Sequence, residues 1–203
     1  IAILARRGSG SATRSIHGGF VLWPRGVRAD GADSHGVPLY PADHWDLRVL
    51  VAITEPSPKA TSSRAAMAQT AATSPFYDAF VQAGPAERDA ALAALRERDF
   101  ARLGQVAEAS AVRLHATAIT ATPPVFFWNP VTFAVLTEVR RARERDGLAA
   151  YVSIDAGPQV KVLTLPATMA AVRDLLAAIP GVRRVIRCRV GGPARLCPTE
   201  LLA

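Results

Sequence analysis

Ala149-Ala150-Tyr151-Val152-Ser153-Ile154-Asp155-Ala156-Gly157-Pro158-Gln159-Val160-Lys161-Val162-Leu163-Thr164-Leu165 reads as two short strands, 149–154 and 160–165, around an Asp-Ala-Gly-Pro turn. Downstream, Met169, Val172, Leu175, Leu176 and Ile179 predict a helix over 167–179. A last strand, 182–190, follows, with Val182, Val185 and Ile186 apolar and its arginines mostly facing out. Upstream, Pro130 suits a first helical turn and Gly147 a stop, which predicts a helix over 130–146. Val49, Leu50, Val51 and Ile53 make 48–54 a buried strand, broken by Glu55-Pro56-Ser57-Pro58. Helical segments fill the interval at 62–72, 75–82, 86–98 and 100–118; in the third, Ala91, Leu92 and Leu95 share a face away from Glu87, Arg88, Glu97 and Arg98. The order strand, helices, strand, strand, helix, strand is the split β-α-β-β-α-β arrangement, with extra helices inserted in its first crossover. The predicted class is α+β: an antiparallel sheet with helices on one face.

Ahead of this pattern, residues 1–7 read as the end of a helix stopped by Gly8. Ser9 or Ser11 is placed to cap a short second helix toward His17, and 20–23 reads as a strand after Gly18-Gly19. Residues 24–46, rich in Gly, Pro, Asp and His, read mostly as loop, so the predicted domains are 1–46 and 47–203. The stretch Arg7-Gly8-Ser9-Gly10-Ser11-Ala12-Thr13-Arg14-Ser15 has the chemistry of an anion cradle. Glycines allow close backbone approach, helix-start N–H groups and serine hydroxyls donate, and Arg14 offers a planar fork for carboxylate or phosphate.

The chain of 203 residues carries a net charge of +7, with only Lys59 and Lys161 as lysines. Such charge favours anionic partners, but the basic residues are dispersed and little aromatic material is interleaved, so nucleic acid is not the expected partner. No apolar run is long enough to span a bilayer, and 1–5 lacks the preceding basic segment of a signal peptide. Beginning without Met on the tail of a helix, the chain reads as a fragment or processed product. Cys188 and Cys197 read as free thiols of a reducing compartment, hence a cytoplasmic location. His17, His35, His44 and His115 show no metal-binding spacing, so no metal-ligating residues are expected.

With Gly18-Gly19-Phe20, the Gly8–Ser15 segment resembles the mevalonate diphosphate decarboxylases of the GHMP kinase superfamily. So do Ser62-Ser63-Arg64 with Met67, Thr73-Ser74-Pro75-Phe76-Tyr77, His115-Ala116-Thr117, Pro123-Pro124 with Asn129, and Asp155-Ala156-Gly157-Pro158, in that order. The resemblance implies the end of a ribosomal protein S5 domain 2-like domain in 1–46, then a ferredoxin-like C-terminal domain. The family's Gly-Leu-Ala-Ser-Ser-Ala type nucleotide loop is not in this sequence. What it implies chemically is ATP-dependent decarboxylation of mevalonate diphosphate to isopentenyl diphosphate, with ATP and Mg2+ as cofactors and a homodimer as the common assembly. Related mevalonate or phosphomevalonate kinases and decarboxylases are the alternative, and a non-catalytic remnant binding anions or a partner is a second.

By the same resemblance, Asp155 is the catalytic aspartate that orients or deprotonates the attacking hydroxyl; its plain reading is a turn residue. Arg14 grips the substrate carboxylate, and Ser9, Gly10, Ser11, Ala12 and Thr13 form the substrate-contacting loop; the plain readings are a solvated arginine and a helix cap. Thr13 stands where the family often has Cys. Ser63 and Arg64 lie near nucleotide or substrate phosphates, although Ser62 has the plain role of an N-cap. His115 reads as a packed histidine, and Arg140, Arg141, Arg143 and Arg145 as a solvated helix face beside Glu138 and Glu144.

Overall fold

The computed structural model describes residues 1–55 and 62–196, so the predicted Pro56–Pro58 break and Cys197 lie outside the described residues. The chain divides into two compact units, Ile1–Asp46 with the segment from Arg189, and Leu47–Cys188.

The first unit opens with α1 (Ala2–Gly8) and α2 (Ala12–Ser15), followed by a two-stranded antiparallel ribbon of β1 (Phe20–Leu22) and β2 (Val37–Tyr40). β2 falls where the sequence reads as loop. It is four residues long and contains Pro38, which removes a ladder donor and hides the strand signal. Gly19 makes the entry to the ribbon: its φ is +73°, and a Cβ there would sit 2.1 Å from the Tyr40 carbonyl oxygen. The C-terminal segment closes the unit, the Gly19 N–H donating to Gly191 O at 2.9 Å and the Ala194 N–H to Ile16 O at 3.2 Å.

The second unit contains β3 (Arg48–Ile53), α3 (Ser63–Thr73), α4 (Tyr77–Glu97), α5 (Phe100–Ile119), α6 (Pro130–Asp146), β4 (Ala150–Ser153), β5 (Val160–Thr164) and α7 (Met169–Ala178), then β6 (Arg184–Arg189). It is α+β, with sheet order β4-β5-β3-β6 and antiparallel β4–β5 and β5–β3 pairs. Val152, Val162 and Leu50 form one rung across three strands. Pleating therefore sends them to a single face with Ala52, Ala150 and Val160, where Val135 and Val139 of α6 and Val172 and Leu176 of α7 complete the core. Each such aliphatic side chain contributes about 1.5–3 kcal/mol by leaving water. α6 begins where Pro130 and its neighbours predict. Asn129 and Thr132 form a reciprocal capping box, and Gly147 ends the helix at φ +65°.

Two expectations of helix placement are corrected. The segments 75–82 and 86–98 are one continuous helix, α4, with Pro85 inside it. Pro85 cannot donate to Val81 O, which is why the sequence reads as two helices; packing along α5 keeps the chain helical through the lost bond. Helices also cover more than one face of the sheet. Ala150, Tyr151 and Val152 are all buried, without the alternation of a half-exposed strand. Tyr151, pleated away from the core of α6 and α7, meets Phe100 of α5 edge-on with ring centroids 5.6 Å apart. It lies so close to Gly104 that a Cβ there would be 2.1 Å from its ring.

The outer edge of β4 is closed by side chains. The Val152 N–H donates to Glu108 Oε2 at 3.1 Å, and Arg143 Nη1 donates to Ala150 O at 2.7 Å. Glu108 and Arg143 join through two bonds of 2.9 and 3.1 Å, and the guanidinium lies 4.3 Å above the Tyr151 ring. This ion pair occupies the place of a neighbouring strand and blocks the edge. Arg143 is thus no member of a solvated face, its side chain being only 20 % exposed. Arg140 with Glu144, and Arg141 with Glu138, do pair along the exposed helix as their spacing predicts.

Candidate active site

In the first unit, Ser9 follows α1 in extended backbone (φ −147°, ψ 128°), and the chain turns at Gly10 into α2. A Cβ at Gly10 would touch the Trp23 indole at 3.0 Å, so the loop lies against that ring. Trp23 Nε1 donates to Ser34 Oγ at 3.0 Å, and that hydroxyl donates to Pro24 O. Ser11 occupies the N-cap position but makes no side-chain cap bond, contrary to the capping expectation. The Ala12 and Arg14 N–H groups are already spent on Ser9 O and Ser11 O, so these two helix-start donors are not turned outward.

Thr13 is fully buried, and its Oγ1 accepts from the Gly36 N–H at 2.7 Å, which anchors the loop from beneath. Ser9, Ser11 and Arg14 are exposed, the two hydroxyls 3.5 Å apart, and Ala12 is half-buried. The unit therefore presents two hydroxyls and a guanidinium on a loop held rigidly from below.

In the second unit, Asp155 leaves the end of β4 on a tight turn in which the Gly157 N–H donates back to Asp155 O at 2.6 Å. At the end of the turn, the Pro158 carbonyl accepts from Thr54 Oγ1 at 3.0 Å and Thr132 Oγ1 at 2.7 Å. Asn129 Nδ2 donates to Thr54 Oγ1, and Gln159 Oε1 accepts from the Thr54 N–H at 2.7 Å. Hydroxyls from β3's end and from α6 thus clamp the turn, as buried polar groups must find partners. α3 meets it too: Ser62 caps that helix by accepting from the Ala65 N–H, and Ser63 Oγ donates to Ala156 O at 3.4 Å. Ser63 and Asp155 are therefore brought to one turn, while Arg64 is exposed on α3. Ser9–Arg14 belong to the other unit.

The Asp155 carboxylate is 75 % exposed and pairs with Lys161 Nζ at 2.6 Å. Lys161 was missed in the sequence beyond its rarity. The available signal was strand alternation: Val160 and Val162 point to the core, so Lys161 emerges on the other face. Behind the turn, His115 is 1 % exposed, edge-on to Phe127 and tilted against Trp128, with Nε2 buried and without a hydrogen-bond partner among the described residues. Burial lowers its pKa from 6.5 to about 4, against opposing influences of the Ile154 and Asp155 backbone and the Asp155 carboxylate. His115 is thus neutral near pH 7.

Among the described residues no group of three or more His, Cys, Asp or Glu gathers to hold a metal ion, and no helix is long and apolar enough to cross a membrane.

Residues 49–195 match the mevalonate 5-diphosphate decarboxylase C-terminal domain, and residues 1–36 match the diphosphomevalonate decarboxylase-like N-terminal domain. Diphosphomevalonate decarboxylase of Ganoderma lucidum is 38 % identical over 168 residues, which is 79 % of this chain and 42 % of that protein. The human diphosphomevalonate decarboxylase is 37 % identical over 180 residues, 87 % of this chain and 44 % of that protein. Mevalonate diphosphate decarboxylase from Staphylococcus aureus superposes with a TM-score of 0.86 at 33 % identity, over 95 % of this chain and 57 % of that one. A structure described as MDDEF in complex with MVAPP, AMPPCP and magnesium superposes with a TM-score of 0.84 at 34 % identity, over 95 % of this chain and 58 % of that one. The chain spans about half the length of the curated relatives it matches. By the match that covers most of its length, the chain belongs to the mevalonate 5-diphosphate decarboxylase family.

Proposed function

We propose that the protein of which this chain forms the described part decarboxylates mevalonate diphosphate with ATP, giving isopentenyl diphosphate, inorganic phosphate, carbon dioxide and ADP. A tertiary hydroxyl is a poor leaving group; phosphorylation makes it a good one, and the departing carboxylate supplies the electrons of the new double bond. The observation that carries the reading is the clamped turn, which offers the Asp155 carboxylate to solvent on backbone held by Thr54 and Thr132. In a family of this name, a rigidly mounted open carboxylate suits orienting or deprotonating the reacting hydroxyl.

Ser9, Gly10, Ser11 and Arg14 would bind the substrate anion, Arg14 by two parallel hydrogen bonds to a carboxylate. Thr13 would hold their loop in place from inside. Ser63 and Arg64, at the start of α3, would meet phosphate. The described residues do not fit a protein cage for Mg2+, and in this reading the ion is carried by nucleotide phosphates. The second unit is read as ferredoxin-like, on the strand order β4-β5-β3-β6, and the first as the end of an S5 domain 2-like domain, with 1–46 and 47–203 as the domains and the segment from Arg189 returning to pack in the first unit. A cytoplasmic homodimer is the proposed context.

The test is an assay of the complete gene product with ATP and mevalonate diphosphate, following carbon dioxide and phosphate. Asp155→Asn is expected to lower kcat by about 100- to 10,000-fold while substrate binding persists. Unchanged turnover would remove Asp155 from the chemistry. Faster turnover with mevalonate or its monophosphate would move the activity to a related kinase or decarboxylase.

A further inference from the structure

We propose that Lys161 is a positioning residue for Asp155, fixing one carboxylate oxygen so that the other faces the reacting hydroxyl; this rests on the role proposed for Asp155. The pleat of β5 makes the placement unavoidable. Val160 and Val162 are buried in the core of α6 and α7, so Lys161 leaves the opposite face, in register with Val51 of β3 and Ser153 of β4. From there its Nζ reaches Asp155 Oδ1 at 2.6 Å and Gln159 O at 3.4 Å. Gln159 is itself fixed, its side chain accepting from the Thr54 N–H and donating to Glu55 O.

The ammonium is therefore tethered on one side to locked backbone and on the other to the carboxylate. Lys161 is 30 % exposed against 75 % for Asp155, so the covered partner holds the open one. Asp155 Oδ2 has no partner among the described residues. An aspartate on an exposed turn otherwise exchanges between staggered rotamers, and only some aim an oxygen at a given point. Pinning Oδ1 selects one. The competing reading is an ordinary surface ion pair with no effect on the reaction.

Kinetics of the complete gene product separate the two. Lys161→Met is expected to lower kcat about 10- to 100-fold, the cost of a misplaced reacting group, with the thermal midpoint nearly unchanged. KM for mevalonate diphosphate and ATP should stay within about twofold, because no substrate contact is removed. Lys161→Arg should restore most of the turnover. In an Asp155→Asn background, Lys161→Met should produce no further loss, as for two residues acting through one another.

Full turnover in Lys161→Met overturns the proposal. So does a loss that appears in KM and adds in full to that of Asp155→Asn, since Lys161 would then touch substrate itself. Wild-type turnover in Asp155→Asn alone would instead sink the role given to Asp155. A spectroscopic readout stands apart from activity. With lysine 15Nζ labelling, the Lys161 ammonium signal, identified by its loss in Lys161→Arg, should change on Asp155→Asn. A signal indifferent to that substitution would also overturn the proposal.

Discussion

Glu108–Arg143 and Asp155–Lys161 each bring a carboxylate within 3 Å of a cation, at 2.9 and 2.6 Å, yet the first is shielded on both sides and the second is open on one. Glu108 and Arg143 are 23 % and 20 % exposed, meet through two bonds, and also bond the Val152 N–H and the Ala150 carbonyl of β4. Asp155 has one bond to Lys161 and an oxygen to spare. The contrast teaches how to tell a pair that secures a fold from one that equips a surface. The first ties its carboxylate and its guanidinium to strand backbone as well as to each other, whereas the second leaves an oxygen open on a rigid mount.

Thermal and denaturant unfolding test that distinction. The largest effect is expected for Glu108→Ala, which strands the Arg143 guanidinium and the Val152 N–H together and should cost about 3 kcal/mol. A loss below about 0.5 kcal/mol would mean that the pair is as dispensable as an exposed one and would erase the contrast.

The two sides of the Asp155 turn sharpen it further, since an open carboxylate lies on one side and a buried imidazole on the other. The folded pKa of His115, about 4, is below the 6.5 of an ordinary histidine, so between these values the unfolded chain binds more protons. The contribution of His115 to stability is complete above pH 6.5, is lost as pH falls toward 4, and is constant below that. The expected loss is on the order of 3 kcal/mol. It should appear as the difference in slope between wild type and His115→Phe measured across that window, because the variant lacks it. Equal slopes for the two proteins would show that the imidazole is hydrated in the folded state.

The smallest effect belongs to the open pair. Lys161→Met should change unfolding free energy by no more than about 0.5 kcal/mol. A change comparable to that of Glu108→Ala would make Asp155–Lys161 a structural element and reverse the comparison.

Local signals made much of this visible in sequence. β3 announces itself through the aliphatic run 49–53, and α6 through Pro130, its apolar spacing and Gly147, because each of those effects acts within a few residues. β2 and the unbroken α4 were hidden for one reason: Pro38 and Pro85 weaken the local preference, while partners far away in sequence decide the outcome. Arg143 looks like part of a solvated face in sequence because Glu144 and Glu138 supply helical neighbours for Arg140 and Arg141, and nothing nearby signals a carboxylate 35 residues away. At the turn, the carboxylate at a strand end is legible as a position, and family resemblance supplies the role proposed for it. Its clamp was not legible, since Thr54, Asn129, Thr132 and Gln159 converge only after β3, α6 and β5 have packed.

Gly104 shows how far such convergence can propagate. The Tyr151 ring fills the volume that any larger residue's first carbon would need, and the same ring carries the Arg143 guanidinium. An alanine there, ordinarily favourable inside a helix by about 1 kcal/mol, would instead push the phenol aside and unseat the cation stacked on it. The position is a steric keyhole. Sequence drift that improves α5 as an isolated helix would degrade the sheet beside it, so selection on this helix must tolerate a poor helix former at one site to keep its neighbour intact.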